Sequence, residues 1–452
     1  MASVQKRGNS FSVVYYHNGE QRWETFTTEQ EAHDRKGDIE YEQRKGTFVP
    51  PANFTMNDLL DRFIQSYGTL KWGHSSYKSN IALLNNYVRP ELGKLMVKKC
   101  TNQRMSSFFT TLGETDAVQL PGHKAPPELV SDRNIADIYQ LLNIAFELAM
   151  EWGELGKNPL SKKMKPKSSR GTRETWDEDT AKKAVTLCDS LRLLVYFHLA
   201  LGCSMRIGEI SGLQRQNLFL DAENDFQNAY LKVEVQLSRI DKDAYEKLKR
   251  KKDQIKFVFP EVFPKKQYKT VLVLKTPKTE SSIRTVYIPP TTAKLLHRWL
   301  GLQDEQKKLL GDEYQDYGLV ITLENGRPIE SRIIGDELDE FIKKHQLKDV
   351  DFHSLRHTST SVKLIITKGD IKSVQGDNGQ TQAKMVTDTY AEIDDRRRQK
   401  NARLFDKQFF LGENSDDLSE SDLENLILGI MQLPNMKEKV LRIMAKAAAA
   451  TY

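Results

Sequence analysis

The chain has 452 residues, 38% hydrophobic and 29% charged, with a formal net charge of +6, enough polypeptide to fold around several packed cores. Its longest apolar run, "LRLLVYFHLALG", is too short to span a bilayer and carries Arg192 and His198, so a membrane-embedded role is excluded. Three separated cysteines (Cys100, Cys188 and Cys203) do not make a disulfide framework or a four-thiolate metal site, and "MASVQKRGNS" lacks a signal peptide's apolar stretch, so a cytoplasmic setting is expected.

Residues 1–52 read as a miniature α+β domain, a three-stranded sheet and one helix. "SFSVVYYH" and "QRWETFT" are strands joined at Asn18-Gly19, a pair that supplies the positive φ a tight hairpin needs. A capping box, Thr28…Glu31, opens the helix "TEQEAHDRKGDIEYEQRKG". So thin a core suits a sheet that works by lying on something larger.

Residues 53–161 read as all α. Thr55 and Asp58 can cap "MNDLLDRFIQSYGTL", whose Met56, Leu59, Leu60, Phe63 and Ile64 share a face. "SYKSNIALLNNYV" is expected to stop at Arg89-Pro90, and "TDAVQLPGHKAPPEL" has no periodicity and reads as a loop. "SDRNIADIYQLLNIAFELAMEWG" is the cleanest amphipathic helix. Ile135, Ile138, Leu142, Ala145, Ala149 and Trp152 form its core stripe, and Gly153, Gly156 and Pro159 end it.

Residues 162–173 read as a basic linker, in which Lys162, Lys163, Lys165, Lys167, Arg170 and Arg173 occur with no acid. Two more basic runs, "KLKRKKDQIK" and "DRRRQKNAR", and the acidic "ENSDDLSESDLE" point to a polyanion partner, most simply nucleic acid. Residues 174–410 read as a mixed α/β domain, mainly α. The helical runs "DEDTAKKAVTLCDSLRLLVYFHLALG" and "PTTAKLLHRWLGLQDEQKKLL" flank the β-like runs "NAYLKVEVQLSRI", "TVLVLKTPK" and "SSIRTVYIP". Residues 411–452 add the acidic linker and two short apolar helices hinged at Pro434, which either pack back or dock on another subunit.

Four pieces of the 174–410 region carry chemistry-bearing residues. "CSMRIGEISGL" sets Arg206 and Glu209 one turn apart near a helix start, and "LKTPKTESSIRTVYIP" sets Lys278 in the turn between two strands. "FHSLRHT" gives His353 and Arg356, and "MVTDTYAEI" gives Tyr390. His353 and His357 have the i,i+4 spacing of a metal half-site. The Glu of "HExxH" is missing, however, and no other cluster supplies a third ligand, so no metal is expected. An anion held by His353 and Arg356, i and i+3 on one face, is the other reading.

In this order the pieces resemble the tyrosine recombinase (phage integrase) family, with its pattern Arg…Lys…His-x-x-Arg…His or Trp…Tyr. The resemblance covers nearly the whole chain. Residues 1–52 are similar to the family's arm-type DNA-binding domain, 53–161 to its helical core-binding domain and 174–410 to its catalytic domain. "SVQGDNGQTQAKMVTDTYAEI" is especially similar to integrases of Gram-positive conjugative transposons and phages.

The resemblance implies a bacterial site-specific recombinase that cuts and rejoins duplex DNA through a 3'-phosphotyrosyl intermediate, without a cofactor, in integrating and excising a mobile element. Arg206 and Arg356 would clamp the scissile phosphate, with Glu209 orienting the turn of Arg206. Lys278, on a hairpin tip, would be the general acid, His353 would assist proton transfer and Tyr390 would be the nucleophile. The basic linker would strap two domains around duplex DNA at core and arm-type sites, and the tail helices are one means of homo-oligomer assembly. One position departs from the pattern: Gln380 stands where the family has His or Trp. Its amide donates a hydrogen bond but no charge, so slower chemistry is expected. Two other readings stay open: a DNA-binding or architectural protein of this fold with weakened catalysis, and a type IB topoisomerase.

Overall fold

The computed structural model describes residues 2–379 apart from 18, 47, 120–127, 167–173, 263–267, 278–281 and 368, so Lys278, Gln380, Tyr390 and the tail lie outside the described residues. The chain divides into one unit of Met1–Ser359 with Gly376–Gly379 and a second that includes Thr360–Gln375.

The first unit contains an antiparallel sheet of β1 (Ser3–Arg7), β2 (Ser10–His17) and β3 (Glu20–Phe26) in that order. His17 pairs with Glu20, leaving a two-residue turn in which Gly19 takes φ +82°. The helix Glu29–Lys45 starts with the expected capping box, Glu31 N–H on the Thr28 hydroxyl and Thr28 N–H on the Glu31 carboxylate. Its Ala32 and Ile39 meet Val13, Tyr15 and Phe48 in a small core.

A second, wholly helical core begins at Met56–Phe63, capped by Thr55 and Asp58 as expected. The helix Asp132–Glu151, capped by Ser131, buries Ile135, Ile138, Leu142, Ala145 and Ala149, with Trp152 packed against the core's edge. The sequence "SYKSNIALLNNYV" does not stop at Arg89-Pro90. His74–Leu83 passes into a wider π segment, Leu84–Val88, and then into Arg89–Leu92. Proline lacks an N–H and crowds the carbonyl four residues back. The widened turn just before Pro90 accommodates both effects, and Pro90 sits in the first turn of the short final helix, where its missing N–H is tolerated.

The third and largest core is built on Leu191–Leu201, Pro290–Leu310, Ser331–His345 and the start of Phe352–Ile366. The single helical run expected over residues 177–202 is two helices, Glu178–Leu187 and Leu191–Leu201, because the Ser190 hydroxyl accepts from Leu193 N–H and caps a new start. Two small antiparallel sheets flank this core, in the orders β4-β5-β9 and β6-β8-β7. They contain β4 (Leu218–Phe219), β5 (Tyr230–Val233), β6 (Gln236–Asp241), β7 (Ile255–Val258), β8 (Thr270–Lys275) and β9 (Arg284–Tyr287).

The topology corrects the expected hairpin: β8 pairs with β6 and β7 whereas β9 pairs with β5, so these two strands do not pair with each other. Among the described residues no helix is long and apolar enough to cross a membrane.

Candidate active site

The site begins where Leu191–Leu201 ends. Ser204 is fully buried and sits in the left-handed region at φ +51°, a conformation that costs a serine about 1 kcal/mol or more. The loop is fixed there because the Ser204 hydroxyl bonds the Ser359 hydroxyl at 2.7 Å. The turn directs the Ser204 carbonyl at Arg356, whose Nη1 donates to it.

Arg206 is the N-cap of Ile207–Ser211. Its backbone N–H donates to Glu209 Oε2 at 3.0 Å and its Nη1 to Oε1 at 2.6 Å. The helix lies hard against β6: a Cβ on Gly212 would stand 2.6 Å from Leu237 N, and one on Gly208 2.9 Å from Leu237 O. Only glycines allow that approach, so "GEISG" sets the height of Arg206. Gly212→Ala is expected to cost about 1–3 kcal/mol through displaced backbone, read as a lower Tm. The same shift should slow any reaction that depends on Arg206.

Arg284, on β9, closes the cluster. Its guanidinium donates to Glu209 Oε2 at 3.0 Å and Oε1 at 3.3 Å, to the Ser282 carbonyl at 3.1 Å and to the Asp377 carbonyl at 2.9 Å. Burial pushes the Glu209 carboxyl up, but Arg284 and then Arg206 outweigh it and hold the group below the usual carboxylate range.

Arg356, only 3% exposed, bonds the Ser204 and Asn378 carbonyls. Burial, reinforced by the like charges of Arg206 and Arg284 and opposed by Glu209, pushes its pKa down to about 9. It remains a cation at neutral pH. A desolvated guanidinium beside two others is an electrostatic demand for an anion.

The structure therefore brings Arg206, Glu209 and Arg356 together. His353 is on the helix of Arg356 but exposed, one turn nearer the N-terminus, with its ring edge-to-face on His357 at 5.1 Å. Among the described residues no group of three or more His, Cys, Asp or Glu side chains could hold a metal. The chain leading to Gln380 is tethered at the cluster, since the Asp377 and Asn378 carbonyls accept from Arg284 and Arg356. Of the basic linker, Lys162, Lys163 and Lys165 are exposed, while Lys167, Arg170 and Arg173 lie outside the described residues. Arg284, Ser204 and the two glycines were not anticipated. The one signal for Arg284 is a lone charge in the β-branched run "SIRTVYI".

No family model matches the chain. A protein described as tyrosine recombinase XerC-like, from Caldanaerobacter subterraneus subsp. tengcongensis, is 24% identical over 375 residues, 81% of this chain and 86% of that protein. The ICEBs1 integrase of Bacillus subtilis is 22% identical over 320 residues, 70% of this chain and 73% of that protein. A solved structure of the Tn1549 transposon integrase, in complex with transposon right end DNA, superposes with a TM-score of 0.56 at 16% identity, over 78% of this chain and 99% of that chain. The same integrase in complex with circular intermediate DNA also gives 0.56. The chain is thus similar over most of its length to tyrosine recombinases and integrases and shares the fold of the Tn1549 integrase, and these relatives support a tyrosine site-specific recombinase.

Proposed function

We propose that the chain cuts and rejoins duplex DNA through a covalent 3'-phosphotyrosyl intermediate, integrating and excising a mobile element. The convergence of Arg206 and Arg356, from distant stretches of sequence, beside the buried Glu209 supports this most. In-line attack on a phosphodiester builds negative charge on its non-bridging oxygens. Guanidiniums meet such oxygens with paired donors in a fixed plane.

Arg206 and Arg356 clamp the scissile phosphate. The Tyr390 phenol oxygen attacks phosphorus, the phosphorus–O5' bond breaks, and the departing 5' oxygen takes a proton from Lys278. His353 helps to move the phenol's proton, and the Gln380 amide donates to a phosphate oxygen. A phenol, with a pKa of about 10, leaves far more easily than an alkoxide, so a 5' hydroxyl of another strand can reseal the diester without a nucleotide.

The Tn1549 integrase is in complex with DNA, which supports duplex DNA as the partner here too. Residues 53–161 and 174–410 close around a core site, with Lys162, Lys163, Lys165, Lys167, Arg170 and Arg173 along the strap. Residues 1–52 take an arm-type site, and the 411–452 helices dock on a neighbouring protomer.

The test is a nicked duplex carrying the DNA that flanks the reading frame, incubated with the full chain. After nuclease digestion, the peptide bearing a nucleotide should contain Tyr390. Tight binding without adduct would make the chain an architectural protein, and relaxation of supercoiled DNA without strand exchange would make it a topoisomerase.

A further inference from the structure

We infer that Arg284 is a positioning residue of the strand-cleavage step: it draws off Glu209's charge so that Arg206 stays available to the phosphate. The inference rests on the reading above. Glu209, 1% exposed in its side chain, is gripped from both sides, by Arg206 at 2.6 Å and by Arg284 at 3.0 Å. The two arginines differ in what they can do. Arg206 is 32% exposed and free to reach outward, whereas Arg284 is 6% exposed and spends its donors on Glu209 and on the carbonyls of Ser282 and Asp377. Arg284 is thus fixed in place, with its donors committed to Glu209 and to two backbone carbonyls.

Its effect is electrostatic and geometric together. Arg206 and Arg284 bond one carboxylate and Arg356 stands in its field, so three guanidiniums meet a single negative charge and the cluster keeps a net positive charge for a dianionic transition state. Without Arg284, both Glu209 oxygens would serve Arg206 alone. That tighter pair would be locally neutral, and the guanidinium would be held back from the substrate. Arg284 also holds the Asp377 carbonyl and so ties that turn to the charge balance of the cluster.

The experiment uses the full chain and the nicked duplex, with either a normal diester or a neutral methylphosphonate at the scissile link. Arg284→Met should lower the single-turnover rate of adduct formation by about 10²-fold on the diester at little-changed DNA affinity. On the methylphosphonate, which lacks the charge the cluster must neutralise, the deficit should shrink to within about tenfold. Arg284→Lys, which keeps a cation but reaches fewer acceptors, should fall between the two proteins and covers the case in which the methionine variant does not fold.

An equal deficit on both links would reduce Arg284 to a purely structural role and overturn the inference. So would a wild-type rate in Arg284→Met, while leaving the recombinase reading intact. Failure of the wild-type chain to form any adduct would overturn both.

Discussion

Arg356→Ala is expected to slow covalent adduct formation by about 10³-fold while DNA affinity changes by less than about tenfold. Most of the affinity for a duplex comes from many phosphate contacts spread along the backbone, so one lost contact is a small fraction of binding. The chemical step is different. Charge develops on one phosphate, and Arg356 is already desolvated there, with burial driving its pKa down to about 9. In so low a dielectric, each donor contributes far more than it would in water.

The loss has a second component. Arg356 holds the Ser204 carbonyl on one side and the Asn378 carbonyl on the other. Removing it leaves the Ser204 turn, just before Arg206, held by the Ser359 hydroxyl and releases the Asn378 carbonyl, so the cluster loosens at two points at once. Arg356→Lys separates the parts: it restores a charge without the fork that spans both carbonyls, and should recover only part of the rate. Single-turnover kinetics at saturating DNA decides the matter. A variant that binds poorly yet cleaves at the normal rate once saturated would place Arg356 away from the reacting phosphate.

Local signals in the sequence were read correctly because their causes are local. The capping boxes at Thr28–Glu31 and Thr55–Asp58, and the stripe from Ile135 to Ala149, depend only on residues within a few turns of each other. Where the reading went wrong, the cause was at a distance or in backbone geometry. The π segment before Pro90 replaces an expected helix stop. The strands on either side of Lys278 look like a hairpin in sequence, yet their partners are β6, β7 and β5, chosen by pairing far along the chain.

The site follows the same division. Arg206 and Arg356 were legible because their type and order match a family pattern, and Glu209 because it lies one turn from Arg206. Arg284 was not, since a single arginine in a β-rich run gives no hint that its strand will be laid beside Glu209. The left-handed φ of Ser204 was equally hidden, as nothing in "GCSM" demands it until Arg356 and Ser359 arrive from elsewhere.

Glu209→Ala should be the most damaging single change to stability in this cluster, costing about 3–5 kcal/mol, because it strands buried cations. Arg284 would keep its bonds to the Ser282 and Asp377 carbonyls but lose its only charged partner among the described residues, at 6% exposure. Arg206 would lose both bonds that fix its turn. Glu209→Gln keeps the shape without the charge and should cost roughly half as much.

The pH dependence separates charge from shape. The two arginines hold the folded carboxyl below its ordinary value of 4.5 despite burial. Its contribution is therefore fully present above that pH and is lost as pH falls through the folded value. Thermal unfolding followed downward from neutral pH should show this acid-side loss in the wild type, and a shallower loss in Glu209→Gln. Identical acid limbs in the two proteins would mean that Glu209 is not the buried counter-charge on which Arg206 and Arg284 depend.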